Sequence, residues 1–168
     1  MNEKKVISDI SKSFFEGKKV FVRVDFNVPI DNKTNSIRED YRIRRAISTI
    51  DYLLDCGAKI ILGSHLGRPK GRRVNELSLE IVANRLSQLL DRKVIFCRDF
   101  IEDKLAEKID LFPNKSVVML ENLRFYKEET DNDANFSRRL AELADIYVNE
   151  AFSTSHRTHS STYGMALD

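Results

Sequence analysis

Apolar and polar positions along this chain follow two different periods, which predict strands and helices in turn. Short runs rich in apolar and β-branched residues are typical of strands buried on both faces of a sheet. These runs cover residues 19–24, 59–63, 93–97, 116–120 and 146–148. Between them, apolar residues recur at steps of three and four, as in amphipathic helices. The alternation predicts an α/β fold: a Rossmann-like, open, mostly parallel sheet with helices on both faces.

Four helices are predicted from this spacing. The first begins at Asp40 and is stopped by Gly57, and Ser78 can cap the second. The third is marked by Ile101, Leu105 and Ile109, and the last by Phe136, Leu140, Leu143 and Ala144. The stretches without such a period are the polar loops 31–40 and 121–133 and the tail 149–168.

Composition narrows the class of protein. A chain of 168 residues predicts a single domain over residues 1–168, and 42% hydrophobic with 32% charged residues is ordinary for a globular protein. A net charge of +2 does not favour a nucleic-acid surface. No apolar run approaches the ~20 residues that span a bilayer, and the N-terminus lacks a signal-peptide pattern. Cys56 and Cys97 are isolated and expected to be reduced, buried thiols. We expect a cytoplasmic monomer without nucleic-acid or membrane partners.

Polar side chains are concentrated in the loops that follow the predicted strands. They are Asp25, Asn27, His65, Arg68, Glu121, Asn122, Arg124, His156, Arg157 and His159. Because parallel strands end at the same edge of a sheet, these loops should meet there, with Arg42 beside them in the first turn of a helix. Arginine binds phosphate or carboxylate with two parallel hydrogen bonds, and Asp25 and Asn27 can bond a hydroxyl. The pattern favours a small ligand with two anionic groups and a hydroxyl.

Other interpretations of the same residues remain open from the sequence. The basic stretch 68–73 is a candidate nucleic-acid patch, although it lacks interleaved aromatic residues. His156 and His159 have the spacing of half a metal site, but no cysteine or further histidine lies at ligand spacing. Serines near these histidines suggest a nucleophile, yet no G-x-S-x-G motif is present. Neither glycine-rich nucleotide-binding pattern occurs, so the chain is not predicted to hold a nucleotide.

Four motifs in this order resemble the phosphoglycerate kinase family. They are RVDFNVP at 23–29, SHLGRP at 64–69, LENLRF at 120–125 and AFSTSHR at 151–157. The similarity runs from about residue 19 to residue 164 and covers only the family's N-terminal, substrate-binding domain. The family acts in glycolysis and moves a phosphoryl group between 1,3-bisphosphoglycerate and ADP, giving 3-phosphoglycerate and ATP. The resemblance implies that a C-terminal domain outside this chain binds Mg²⁺ and ADP or ATP. This chain is then expected to hold no metal or cofactor and to be inactive alone.

The resemblance also implies a role for each matched residue. Asp25 and Asn27 would contact the hydroxyl and carboxylate end of the glycerate, and Arg42 would be catalytic, facing the transferring phosphoryl group. The ligands implied for the 3-phosphate are His65, Arg68, Arg124 and Arg157. The full set of implied substrate-binding residues is Asp25, Phe26, Asn27, Arg42, His65, Leu66, Gly67, Arg68, Arg124 and Arg157.

Three residues depart from the usual family motifs. Ser153 and Ser155 stand where Gly and Ala are usual, and Glu150 replaces Asp. If position 153 requires a positive φ, serine costs roughly 1 kcal/mol there and the geometry around Arg157 changes. An alternative function fits the same residues: a non-catalytic module that binds small anions.

Overall fold

A computed structural model describes residues 6–31, 33–100 and 104–167. One parallel sheet forms the centre of the structure. The strands are β1 (Lys19–Arg23), β2 (Ile30–Asp31), β3 (Ser36–Ile37), β4 (Lys59–Gly63), β5 (Val94–Cys97), β6 (Val117–Leu120) and β7 (Ile146–Asn149). The parallel sheet has the order β5-β6-β4-β1-β7, and β2 pairs with β3 as a separate antiparallel hairpin. The five strands predicted from apolar runs are confirmed, each within one residue at its ends.

The helices are α1 (Tyr41–Asp55), α2 (Glu80–Leu90), α3 (Leu105–Asp110), α4 (Lys127–Asp131) and α5 (Ala134–Ala141). Four of them correspond to the predicted helices, although α5 ends before Leu143 and Ala144, and Ile101 lies outside the described residues. Ser78 precedes α2, and its hydroxyl accepts a hydrogen bond from the backbone N–H of Glu80 at 3.2 Å. The predicted polar loops were wrong in part, because α4 lies in one and the β2–β3 hairpin in the other.

Alternate residues of each strand pack into two separate cores, which lie on opposite faces of the sheet. In β4, Ile60 and Leu62 belong to one core and Ile61 to the other. Helices α1 and α2 cover the first face, and α3 and α5 cover the second. This arrangement confirms the predicted α/β fold with helices on both faces.

The structure bears on two further expectations, the burial of the two cysteines and the lack of a membrane-spanning segment. Cys56 is buried, but Cys97 is only half-buried, because it lies in the edge strand β5. The expectation of two buried thiols was therefore wrong for Cys97. Within residues 6–31, 33–100 and 104–167, no helix is both long and apolar enough to cross a membrane.

Candidate functional site

The loops that follow β1, β4 and β6 meet the segment after β7 around a cavity of about 260 Å³. Its walls are formed by Asp25, Asn27, Arg42, His65, Gly67, Arg68, Arg124, Ser153, Thr154 and Arg157. Eight of the ten residues singled out from the sequence are in this wall. The other two, Phe26 and Leu66, are buried in the first core. The common edge of the parallel sheet thus brings together residues separated by more than a hundred positions.

One wall of the cavity presents the carboxylate of Asp25. Its Oδ2 accepts hydrogen bonds from Arg42 Nη1 and from the hydroxyl of Ser153, both at 2.6 Å. Burial alone would raise the pKa of Asp25, but the hydrogen bonds from Ser153 and Arg42 outweigh it, so the pKa lies below its usual value. Asp25 is therefore ionised at neutral pH and can accept a hydrogen bond from a ligand hydroxyl.

Gly67 ties the loop after β4 to the neighbouring loops. Its N–H donates to Oδ1 of Asn27 at 2.9 Å, and its carbonyl accepts from Nη1 of Arg124 at 3.1 Å. Its φ is +63°, and an added Cβ would lie 2.8 Å from a methyl group of Leu77. A side chain at this position would be strained by both the backbone and the contact, so glycine lets the backbone lie close to Asn27 and Arg124.

A second part of the lining, here called the cationic wall, consists of arginines. Arg68, Arg124 and Arg157 all border the cavity, and in the part of the chain that the structure describes none of them forms a salt bridge with a carboxylate. Nε of Arg124 is buried without a hydrogen-bond partner among the described residues. Burial, followed by the charges of Arg157 and Arg23, lowers the pKa of Arg124 to about 10, so it stays protonated at neutral pH. Such a cluster favours a multiply charged anion.

His65 also lines the cavity, as a buried and neutral side chain. It is 3% exposed, and its Nδ1 is 3.2 Å from Nη2 of Arg23. Because a guanidinium can only donate, Nδ1 accepts and the ring proton is on Nε2. Burial, with the positive charges of Arg23 and Arg124, lowers the pKa of His65 to about 3. His65 can therefore offer Nε2–H as a donor without carrying a charge.

Several polar residues of the predicted rim do not reach the cavity. Glu121 is buried, and its carboxylate accepts from Ser78 Oγ and from the backbone N–H of Leu79, both at 2.9 Å. It therefore holds the start of α2. Asn122 is also buried and donates to the carbonyls of Leu66 and Leu77. The expectation that these two side chains face the rim was wrong, because their own loop turns them into the protein.

The two histidines after β7, which the sequence placed together at the rim, have different surroundings in the structure. His156 is exposed and lies outside the cavity wall, whereas His159 borders a neighbouring cavity of about 410 Å³. That second cavity shares Arg68, Arg124 and Arg157 with the first. Ser153 does not have a positive φ, so the strain considered for serine at this position does not arise. In the part of the chain that the structure describes, no three His, Cys, Asp or Glu side chains are grouped as metal ligands.

Sequence reasoning gave no role to three residues beneath the site, namely Arg23, Glu129 and Ser161. Arg23 is 1% exposed, and both other side chains are fully buried. An arginine at the end of an otherwise apolar strand was an available signal, because a buried charge needs partners. Glu129 and Ser161 gave no such signal, since both lie in polar stretches of the sequence.

Comparison with known proteins shows which family this chain is similar to. The family model described as phosphoglycerate kinase matches residues 7–167. Phosphoglycerate kinase of Dictyoglomus turgidum is 52% identical over 163 residues, which are 97% of this chain and 40% of that protein. The protein of the same name from Gloeothece citriformis is 50% identical over 162 residues, with 96% and 40% covered. The structure of phosphoglycerate kinase from Coxiella burnetii matches with a TM-score of 0.82 and 36% identity, over 95% of this chain and 38% of that one. This chain spans about two fifths of the length of the curated relatives it matches.

Proposed function

This chain belongs to the phosphoglycerate kinase family, and from that premise we propose that it supplies the phosphoglycerate-binding half of the enzyme's active site. Its substrates are 3-phosphoglycerate and 1,3-bisphosphoglycerate. The observation that carries the proposal is the 260 Å³ cavity, which is lined by a neutral histidine, an ionised aspartate and three guanidinium groups that form no salt bridge with a carboxylate among the described residues. Those groups match a phosphate at one end of the ligand and a hydroxyl near the other.

We assign the 3-phosphate to the cationic wall. Arg68, Arg124 and Arg157 can donate to its oxygens, and Nε2–H of His65 adds a neutral donor. Each charge-assisted hydrogen bond contributes about 1.5–3 kcal/mol net, so several of them hold a small anion even in an open cavity. The glycerate hydroxyl donates to Asp25, and the amide of Asn27 lies beside it.

Arg42 is the residue we assign to the transferring phosphoryl group. It borders the 260 Å³ cavity and also a further cavity of about 320 Å³. Phosphoryl transfer proceeds through a loose transition state with negative charge spread over the equatorial oxygens. A guanidinium at this point stabilises that charge, and it takes no part in covalent chemistry.

We place the nucleotide and Mg²⁺ in a domain outside this chain. The residues around the cavity do not suit a metal cation, because four arginines surround it and Asp25 already pairs with Arg42. The phosphoglycerate kinase family nevertheless uses ADP or ATP with Mg²⁺. In this proposal the chain binds and orients the phosphoglycerate, and catalysis requires the second domain.

The binding part of the proposal is tested by titration calorimetry on the 168-residue chain. We expect 3-phosphoglycerate to bind more tightly than glycerate or inorganic phosphate, since each of these lacks one half of the contacts. Arg68→Ala should weaken binding at least about tenfold, the loss of one charge-assisted bond. Arg92→Ala is the matched control, because Arg92 instead donates to the carbonyl of Lys115, away from the cavity. Equal affinity for all three ligands would contradict the assignment.

The catalytic part is tested by a coupled assay with MgATP and 3-phosphoglycerate. We expect no turnover from the chain alone and recovered turnover when a nucleotide-binding domain of the family is supplied in trans. Ordinary turnover by the chain alone would contradict the proposal that catalysis requires a second domain. Binding of 3-phosphoglycerate without activity in trans would instead identify a non-catalytic small-anion-binding module.

A further inference from the structure

A continuous chain of hydrogen bonds runs beneath the cavity from Glu129 to His65. The carboxylate of Glu129 accepts from both the hydroxyl and the backbone N–H of Ser161, at 2.5 and 3.0 Å. The same hydroxyl oxygen accepts from Nε of Arg23 at 2.8 Å. Nη2 of Arg23 is then 3.2 Å from Nδ1 of His65. Four side chains from four separate parts of the sequence are thus linked into one row.

The direction of every hydrogen bond in this row is fixed. Glu129 can only accept, so the hydroxyl proton of Ser161 points toward it, and the oxygen lone pair is left for Arg23. Nη1 of Arg23 also donates to the carbonyl of Val24 at 2.6 Å, and this bond and the bond to Ser161 together fix the orientation of the guanidinium. The remaining donor, Nη2, must meet a lone pair on His65. Because the row is completely buried, an arrangement that left one of its donors or acceptors without a hydrogen-bond partner would be costly.

We propose that Glu129, Ser161 and Arg23 are positioning residues that hold His65 in the Nε2-protonated tautomer and so present a neutral N–H donor to the anion in the cavity. The other tautomer would place a nitrogen lone pair toward the anion, where it repels. Only the identity of the anion, 3-phosphoglycerate, rests on the function proposed above; the tautomer does not depend on it.

The same row helps to explain why the charge of the His65 ring does not change with pH near neutrality. The charged groups that act on its ring are Arg23, Arg124 and Arg157, which disfavour a proton, and Asp25, which favours one. Burial adds to the three arginines, and the pKa of His65 falls to about 3. Without a bound ligand, His65 is therefore neutral between about pH 5.5 and 8, within the range where an ordinary histidine titrates.

The test is ¹⁵N nuclear magnetic resonance of the histidine ring in the full chain. We expect wild-type His65 to show a protonated Nε2 and an unprotonated Nδ1 throughout pH 5.5 to 8. Ser161→Ala frees Arg23 to turn toward Glu129, and Arg23→Lys removes the planar fork, so both variants should give a mixture of tautomers. Ser160→Ala is the matched control, because Ser160 is equally buried but donates to the carbonyl of Glu128 and does not touch Arg23. It should leave the tautomer unchanged.

Binding gives a second measurement. Ser161→Ala should weaken 3-phosphoglycerate binding about threefold to tenfold, the loss of one hydrogen bond, whereas Ser160→Ala should not. An unchanged tautomer in Ser161→Ala would overturn the inference. A wild-type His65 protonated on Nδ1 would overturn it without any variant, even if both substitutions prevent folding. If wild-type protein shows the expected tautomer but no affinity for 3-phosphoglycerate, the proposed function fails and the positioning role stands.

Discussion

At the scale of single residues, the site depends on the hydrogen bonds that the carboxylate of Asp25 accepts from its neighbours. The sequence identified Asp25 as an acceptor because it follows a strand at the sheet edge. It did not identify Ser153 as a partner of Asp25, because Ser153 lies in an aperiodic tail. The structure brings that hydroxyl to Asp25 across 128 positions of sequence. A contact of this range has no local signal, so neither periodicity nor spacing could reveal it.

Removing that hydroxyl should change the titration of Asp25. In Ser153→Ala, Asp25 loses a hydrogen bond that favours its charged form, so its pKa should rise toward the ordinary value of about 3.9. Carbon-13 resonances of the carboxylate measure this directly. Ser155→Ala is the control, because the Ser155 hydroxyl bonds Asn149 and Ala151 instead. An unchanged Asp25 pKa in Ser153→Ala would show that the Ser153 hydroxyl does not contribute to it.

The same shift has a consequence for stability, with a defined sign. Because the pKa of Asp25 is lowered in the folded state, the unfolded state binds more protons in acid, and its contribution to stability is present above about pH 3.9. That contribution is lost as the pH falls through the folded-state pKa. Ser153→Ala should therefore lose less stability than wild type on acidification through this range, as measured by urea unfolding.

At the scale of elements, the strands were predictable because their apolar runs are short and bounded by polar residues. Helix α4 was not, because its sequence KEETD has no apolar position to mark a buried face. It is held instead by the tail, where the N–H and hydroxyl of Ser160 bond the carbonyls of Glu129 and Glu128. Tertiary contacts with another part of the chain thus stabilise a helix that the local sequence does not predict.

The fit of the tail against α5 allows a sharp test. A Cβ added to Gly164 would lie 2.1 Å from Oγ of Ser137 and 2.7 Å from Oδ1 of Asn132. We expect Gly164→Ala to lower the free energy of unfolding by about 1–3 kcal/mol, because the tail must move away from α5. Ala166→Ser, at an exposed position of the same turn, should change it by less than about 0.5 kcal/mol. Equal effects of the two substitutions on urea unfolding would mean that the tail is not tightly packed.

At the scale of the whole molecule, a nearly neutral chain places four arginines around one cavity at the carboxyl ends of its parallel strands. The sequence predicted this edge from strand direction alone, without any long-range contact. It could not predict the second cavity beside the first, where Lys70 and Lys127 join the three shared arginines. Exposed charges of this kind act mainly on the rate at which an anion arrives.

We therefore expect the double substitution Lys70→Ala and Lys127→Ala to slow association of 3-phosphoglycerate severalfold at low salt. The difference should disappear at about 0.5 M salt, where screening acts over a few ångströms. Stopped-flow measurements across this range provide the check. Lys18→Ala with Lys93→Ala removes the same charge from exposed positions at the amino ends of β1 and β5, and should leave the rate nearly unchanged. A slowing that persists in high salt would point to direct contact with the ligand.

The partnership between Arg23 and Ser161 has a consequence for how the protein is made. The two residues are 138 positions apart, so a ribosome synthesises the first strand long before the serine that satisfies its arginine. Until the segment that carries Ser161 emerges, the nascent sheet would have to bury a guanidinium without its acceptor, which disfavours early closure. Maturation of the anion site is therefore expected to await synthesis of that segment, however soon the surrounding strands begin to pair.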